Sequence, residues 1–170
     1  MVELEGSKTL ENLREAFAGE SQANRRYLAF AKKADEEGHP QVAKLFRAAA
    51  EAETVHALAH LRVMEGVGST EENLGEAVGG ETHEFTSMYP GMIAAAQEEG
   101  FKKAERSFDF ATQVEQIHAG LFQRALDSLG EEAEPFDYYV CPVCGNTFEG
   151  AQTKPCPICG TPAGRFVRVE

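Results

Sequence analysis

A chain of 170 residues, 42% apolar and 26% charged, is long enough for one ordinary core and a small satellite and too short for several full domains. Sixteen basic residues against 28 acidic ones leave a formal net charge of −12, which disfavours nucleic acid or an anionic membrane as partner. The longest apolar runs, such as Tyr27 to Ala31, fall far short of the roughly 20 residues of a spanning helix, and the acidic Met1-Val2-Glu3-Leu4-Glu5 start has no basic or apolar leader segment. A soluble, cytoplasmic protein is expected.

The charge is unevenly placed: residues 1–137 hold 13 Lys/Arg and 26 Asp/Glu, residues 138–170 three and two. The later stretch also holds all four cysteines, and five of the seven prolines lie from Pro135 onward. Two domains are predicted, 1–134 and 135–170.

From Leu10 to Leu129 apolar residues recur three and four apart in an alanine-rich background, the pattern of long amphipathic helices. Stops at Gly38, Gly66, Gly100 and Gly130, Pro40 at a first helical position and the capping-box pattern Ser69-x-x-Glu72 give four helices, roughly 8–37, 40–65, 76–99 and 101–129. Residues 66–75 are then a long crossover. Pro90, inside the third helix, is expected to kink it. A shift of 62 residues aligns Tyr27 with Tyr89, Ala34 with Ala96, Glu36-Glu37-Gly38 with Glu98-Glu99-Gly100, Phe46 with Phe108, Glu53 with Glu115 and His56 with His118. A duplicated helical hairpin, and so a four-helix bundle, is the simplest account.

Carboxylates interrupt the apolar stripe of every helix: Glu20 on the first, Glu53 on the second, Glu81 with Glu84 on the third and Glu115 on the fourth. Burying one unpaired carboxylate costs several kcal/mol, and five would exceed the roughly 5–15 kcal/mol by which a domain is stable. Arg and Lys are nearly absent from these stripes, so a pair of metal ions is the physical answer. Glu53-x-x-His56 and Glu115-x-x-His118 put both ligands of each pair on one helix face, the arrangement of di-iron carboxylate bundles. His60 reads as a hydrogen-bonded seam residue, His39 as a helix-start residue, His83 as a surface one, and Tyr27 and Tyr89 as core aromatics.

Cys141-Pro142-Val143-Cys144-Gly145 and Cys156-Pro157-Ile158-Cys159-Gly160 are two copies of one loop. Four thiolates close a tetrahedron, with proline stiffening each loop and glycine permitting the tight turn. So short a segment has few core candidates beyond Tyr138, Tyr139, Phe148 and Phe166, and its folding should depend on metal. Tetrahedral sulfur suits zinc and iron alike; an attached redox-capable di-metal site favours iron.

Through Ala18-Gly19-Glu20-Ser21, Glu53-x-x-His56, Gly80-Glu81-x-x-Glu84, Met88-Tyr89-Pro90, Glu115-x-x-His118 and both Cys-Pro-x-Cys-Gly loops, the chain resembles the rubrerythrin family over nearly its whole length. The resemblance implies an all-α, ferritin-like four-helix bundle followed by a small, mainly β and loop, rubredoxin-like domain. It implies a non-haem di-iron peroxidase that reduces hydrogen peroxide to water in oxidative-stress defence, with electrons entering through an iron held by Cys141, Cys144, Cys156 and Cys159. By position, Glu53 and Glu115 would bridge the irons, Glu20 and Glu84 would bind terminally, His118 would join the iron that Glu84 serves, and Glu81 and His56 would alternate on the other.

The family also implies an external electron donor such as rubredoxin with its NAD(P)H-dependent reductase, and at least a homodimer, with helices exchanged in some members. The chain itself lacks a nucleotide-binding glycine motif: Gly66-Val67-Gly68 follows a helix and lacks the third glycine. The rival readings are a ferroxidase or oxygen reductase on the same metals and a non-enzymatic electron carrier or metal-binding module.

Overall fold

The computed structural model describes residues 4–132 and 134–170; Met1 to Glu3 of the N-terminal reading, and Ala133 beside the expected 134/135 boundary, lie outside the described residues. The described helices are α1 (Lys8–Glu36), α2 (Pro40–Val63), α3 (Thr70–His83), α4 (Tyr89–Glu98) and α5 (Lys102–Asp127), with a five-residue π turn, Glu84–Met88, joining α3 to α4. Three short strands follow: β1 (Tyr138–Val140), β2 (Thr147–Glu149) and β3 (Val167–Arg168). By compactness the chain divides into two units, the first ending at Gly68 and the second being Ser69–Glu170. None of the described helices is long and apolar enough to cross a membrane.

The first unit is the α1–α2 hairpin. Ser7 caps α1 by accepting from the Leu10 amide at 3.1 Å, and Pro40 opens α2, where its missing N–H costs nothing. Between them Gly38 adopts φ +79°, and the His39 and Gly38 amides donate back to Ala34 and Asp35 at 2.8 and 3.1 Å, a Schellman stop. The buried residues facing across the hairpin are mostly alanines, Ala31, Ala34, Ala43, Ala50 and Ala57, which let the backbones approach closely. Asn24 pins the pair by donating Nδ2–H to the Ala50 carbonyl at 2.8 Å and to Thr54 Oγ1 at 2.9 Å.

The second unit repeats the design. Gly100 adopts φ +79°, and the Phe101 and Gly100 amides reach Ala96 and Gln97, the Schellman stop of the first hairpin moved 62 places on. Tyr27 packs on Phe46 with ring centroids 6.0 Å apart, and Tyr89 on Phe108 at 6.2 Å. The duplication read from the sequence is therefore a duplication of contacts.

Three expectations are corrected. The third helix begins at Thr70, not near 76, because the capping box forms in full: Ser69 Oγ accepts from the Glu72 amide and Glu72 returns the bond to the Ser69 amide at 2.7 Å. The crossover shrinks to residues 64–69. The stop after α2 is not made by a left-handed Gly66, since Glu65 takes the left-handed φ of +54°, and the Gly66 amide donates to the Leu61 carbonyl at 3.0 Å. Pro90 does not simply kink a continuous helix. It has no N–H and its ring presses on the carbonyl four residues back, and the chain widens just before it, with the Tyr89 amide bonding to the Glu84 carbonyl five residues earlier.

The strands form an antiparallel sheet ordered β2-β1-β3, with Tyr139 opposite Phe148 and Arg168. Phe148 stacks on Phe166 with ring centroids 4.7 Å apart. Replacing the cap, Ser69→Ala, is expected to lower the unfolding free energy by about 1 kcal/mol, read as a shift in the urea midpoint at unchanged slope.

Candidate metal centres

Glu20 projects from α1 and Glu53 and His56 from α2, and their ligand atoms lie within 4.8 Å of one another. In the second unit Glu81 of α3 and Glu115 and His118 of α5 do the same. Each Glu-x-x-His pair is already in contact: His56 Nδ1 is 3.0 Å from Glu53 Oε2, and His118 Nδ1 is 2.8 Å from Glu115 Oε2 and 3.9 Å from Glu81 Oε1. The helix spacing that places them together is one turn.

Glu84 joins neither group among the described residues, whereas the pairing implied by the resemblance put Glu84, not Glu81, with His118. Glu84 is the first residue of the π turn. Glu84 remains close enough to raise the pKa of Glu81 and of Tyr89. His60 also stays outside both groups, as expected of a seam residue, while His39 caps α2 and His83 is exposed.

Glu81 is held up from an ordinary 4.5 to about 7, first by burial, then by the charges of Glu115 and Glu84 and a hydrogen bond with Glu115. No Lys or Arg ion pair is formed by Glu81, Glu84 or Glu115 among the described residues; their ion-pair contacts are with His118 alone. A protein-only arrangement thus leaves carboxylates repelling one another, which a cation would reverse. Two carboxylates and an imidazole per group are the donors that suit non-haem iron.

The cysteine loops are built alike. Gly145 and Gly160 adopt φ of +85° and +76° and donate to the carbonyls of Cys141 and Cys156, both at 2.9 Å, while the Cys141 and Cys156 amides bond to Asn146 and Thr161. Cys141 Sγ lies 3.5 Å from Cys159 Sγ, and Cys144 Sγ 3.5 Å from Cys156 Sγ. These are close to the edge of about 3.8 Å that a tetrahedron with metal–sulfur bonds of about 2.3 Å requires.

The thiols are prepared as ligands. Burial alone would raise Cys156 and Cys159, but amides of Cys159 and Ile158 aimed at the first, and the hydroxyl and amide of Thr161 at the second, bring both below the ordinary thiol value. Cys144 goes up instead, through burial and then the sulfurs of its three neighbours. Asn146, 2% exposed, points Nδ2 at Cys156 Sγ from 3.7 Å and leaves its Oδ1 without a partner. A buried amide spent on a sulfur makes sense if that sulfur is a thiolate.

The sequence model of the rubrerythrin family matches residues 11–126. The chain is 36% identical to Rubrerythrin-2 of Clostridium acetobutylicum, with 97% of this chain and 98% of that protein covered. It belongs to the rubrerythrin family. It is also 37% identical to nigerythrin of Nitratidesulfovibrio vulgaris, covering 93% and 85% of the two chains. Among solved structures it is similar to nigerythrin in a mixed-valence state, with a TM-score of 0.58 at 35% identity over 99% and 92% of the chains, and in the fully reduced, all-ferrous state, at 0.58 and 34%.

The fold class is accordingly that of rubrerythrins, a ferritin-like bundle with a rubredoxin-like metal domain. The ligand sets fit two non-haem irons and one tetrathiolate iron, and the protein is an iron-based oxidoreductase of this family.

In the metal-free chain the folded state keeps a proton on Glu81 that the unfolded chain releases. Stability should therefore fall as pH rises from about 4.5 towards 7. Urea midpoints measured at pH 5 and 7.5 should show this decline, and Glu81→Gln should flatten it.

Proposed function

We propose that this member of the rubrerythrin family reduces hydrogen peroxide to water with electrons received through its cysteine centre. The observation that carries the reading is the coexistence in one chain of two Glu/Glu/His groups and a four-thiolate cluster, a redox reservoir joined to an entry point. When loaded, a di-iron centre supplies the two electrons that take hydrogen peroxide and two protons to two waters, and a tetrathiolate iron accepts electrons singly from outside. Reduction of oxygen to water needs four electrons, more than the three such irons hold.

The chain's own residues support that reading in separate ways. Glu20 with Glu53 and His56, and Glu81 with Glu115 and His118, bring carboxylate oxygens and imidazole nitrogens to within 4.8 Å of one another in each group. By the family resemblance Glu53 and Glu115 would bridge the irons, Glu20 and Glu84 would bind terminally, and Glu81 and His56 would alternate as ligands. A mostly apolar cleft of about 500 Å³, with Glu81, His118, Leu121 and Phe122 in its wall, opens beside the second group.

The same reading names hydrogen peroxide as substrate and, as partners, an external donor such as rubredoxin with its NAD(P)H-linked reductase and a second copy of the chain in a homodimer, with helices exchanged in some relatives. It places the protein in the cytoplasm.

Anaerobic stopped-flow mixing of the reduced, metal-analysed protein with peroxide or with oxygen decides the matter. Fast reoxidation of the tetrathiolate colour by peroxide, with a much slower oxygen reaction, is expected. The reverse order would establish the oxygen reductase or ferroxidase reading, and a colourless zinc site without turnover the non-enzymatic one. Glu115→Ala should abolish di-iron assembly with the thiolate colour kept, and Cys144→Ser should do the opposite.

A further inference from the structure

An imidazole can offer one nitrogen to a metal only if the other is provided for. His118 directs Nδ1 at Glu115 and Glu81, and its Nε2 lies 2.9 Å from the hydroxyl oxygen of Thr147, twenty-nine residues away on β2. That hydroxyl is also 3.3 Å from the Gly145 carbonyl. A carbonyl can only accept, so when the hydroxyl donates to Gly145 a lone pair of Thr147 Oγ1 is free to accept from Nε2. With Nδ1 given to a cation, the neutral ring would carry its one proton on Nε2, and Thr147 Oγ1 is the acceptor placed to receive it.

The acceptor is itself held rigidly. Gly145 donates to the Cys141 carbonyl within the first cysteine loop, and a Cβ at Gly145 would meet Val114 of α5, one turn before His118, at 3.9 Å. Two residues beyond Thr147, Glu149 pairs with Arg124 of α5 at 3.0 Å. Alternate residues 145, 147 and 149 thus seat one face of this segment on α5, as the two-residue period of a strand requires.

We propose that Thr147 is a positioning residue for His118, orienting its ring so that Nδ1 is delivered to the metal, and that the folded cysteine loop thereby contributes to metal affinity in the helices. This rests on reading Glu81, Glu115 and His118 as ligands. Partners of this kind are worth about 10- to 100-fold in metal affinity.

The test uses the full-length chain with zinc in the four-thiolate site, titrated calorimetrically with cobalt(II). Thr147→Val should weaken binding about tenfold, and Thr147→Ser, which keeps the hydroxyl, should restore it. In the fully zinc-loaded protein the His118 Nε2–H proton should be visible by NMR as a slowly exchanging, hydrogen-bonded resonance, lost in Thr147→Val and kept in Thr147→Ser. Unchanged affinity and an unchanged resonance in Thr147→Val, with cobalt binding abolished by Glu115→Ala, would overturn the role of Thr147 and leave the metal site standing. Unchanged binding in Glu115→Ala would instead overturn the metal site. If Thr147→Val loses its four-thiolate zinc on metal analysis, Thr147→Ser against Thr147→Ala decides by the same two readouts.

Discussion

Everything else in the helical part follows from carboxylates that face inward without basic partners. Burial, and after it the charges of Glu115 and Glu84, pushes the Glu81 carboxyl up to about 7. A fold seldom tolerates such a cluster for its own stability, because replacing charges by apolar residues of similar size is commonly neutral or better. The cluster makes sense as a binding device, whose cost is offset when a cation arrives. The alanine interface between α1 and α2 serves the same end, since close backbones let short glutamate side chains from two helices meet.

The cysteine part meets a related difficulty by different means. Four sulfurs are crowded into the space of one metal ion: backbone amides and the Thr161 hydroxyl hold Cys156 and Cys159 below the ordinary thiol value, while burial and its sulfur neighbours push Cys144 up. The two loops share a backbone but not their polar partners: Asn146 serves Cys156 across the cluster, and Thr161 serves its own loop's Cys159. Sulfur hydrogen bonding, one of the protein's main means of setting an iron–sulfur potential, is therefore unequal around the four ligands.

Much of this was legible in the sequence because the signals were repeated. Two Glu-x-x-His pairs in register, two glycine stops and two cysteine loops each confirm the other, and the structure places Glu20, Glu53 and His56, and likewise Glu115 and His118, with their neighbours on one face. The start of α3 is hard to read from periodicity even with its cap in view, because Gly75 and Gly79 weaken the helical pattern that the cap nonetheless nucleates. The separate roles of Glu81 and Glu84 come from the family resemblance alone, since periodicity places the two only one turn apart on the third helix. Thr147 left no trace at all: its role depends on a contact across 29 residues, and a threonine in a short strand is otherwise unremarkable.

The π turn explains a detail of the duplication. Upstream of it the hairpins align at a shift of 61, Glu11-Asn12-Leu13 on Glu72-Asn73-Leu74 and Gly19-Glu20 on Gly80-Glu81; downstream they align at 62, Tyr27 on Tyr89. The second copy carries one additional residue, and Glu84–Met88 is where it is accommodated. An extra residue in a regular helix would swing everything beyond it by about 100°, separating Glu81 from the face that carries Tyr89. By looping the surplus into a single widened turn, the chain keeps Glu81 as the counterpart of Glu20 while Tyr89 still meets Phe108 as Tyr27 meets Phe46. The two halves are thus equivalent in side-chain placement though unequal in length, and the acidic residue inside that turn, Glu84, has no glutamate counterpart in the first hairpin.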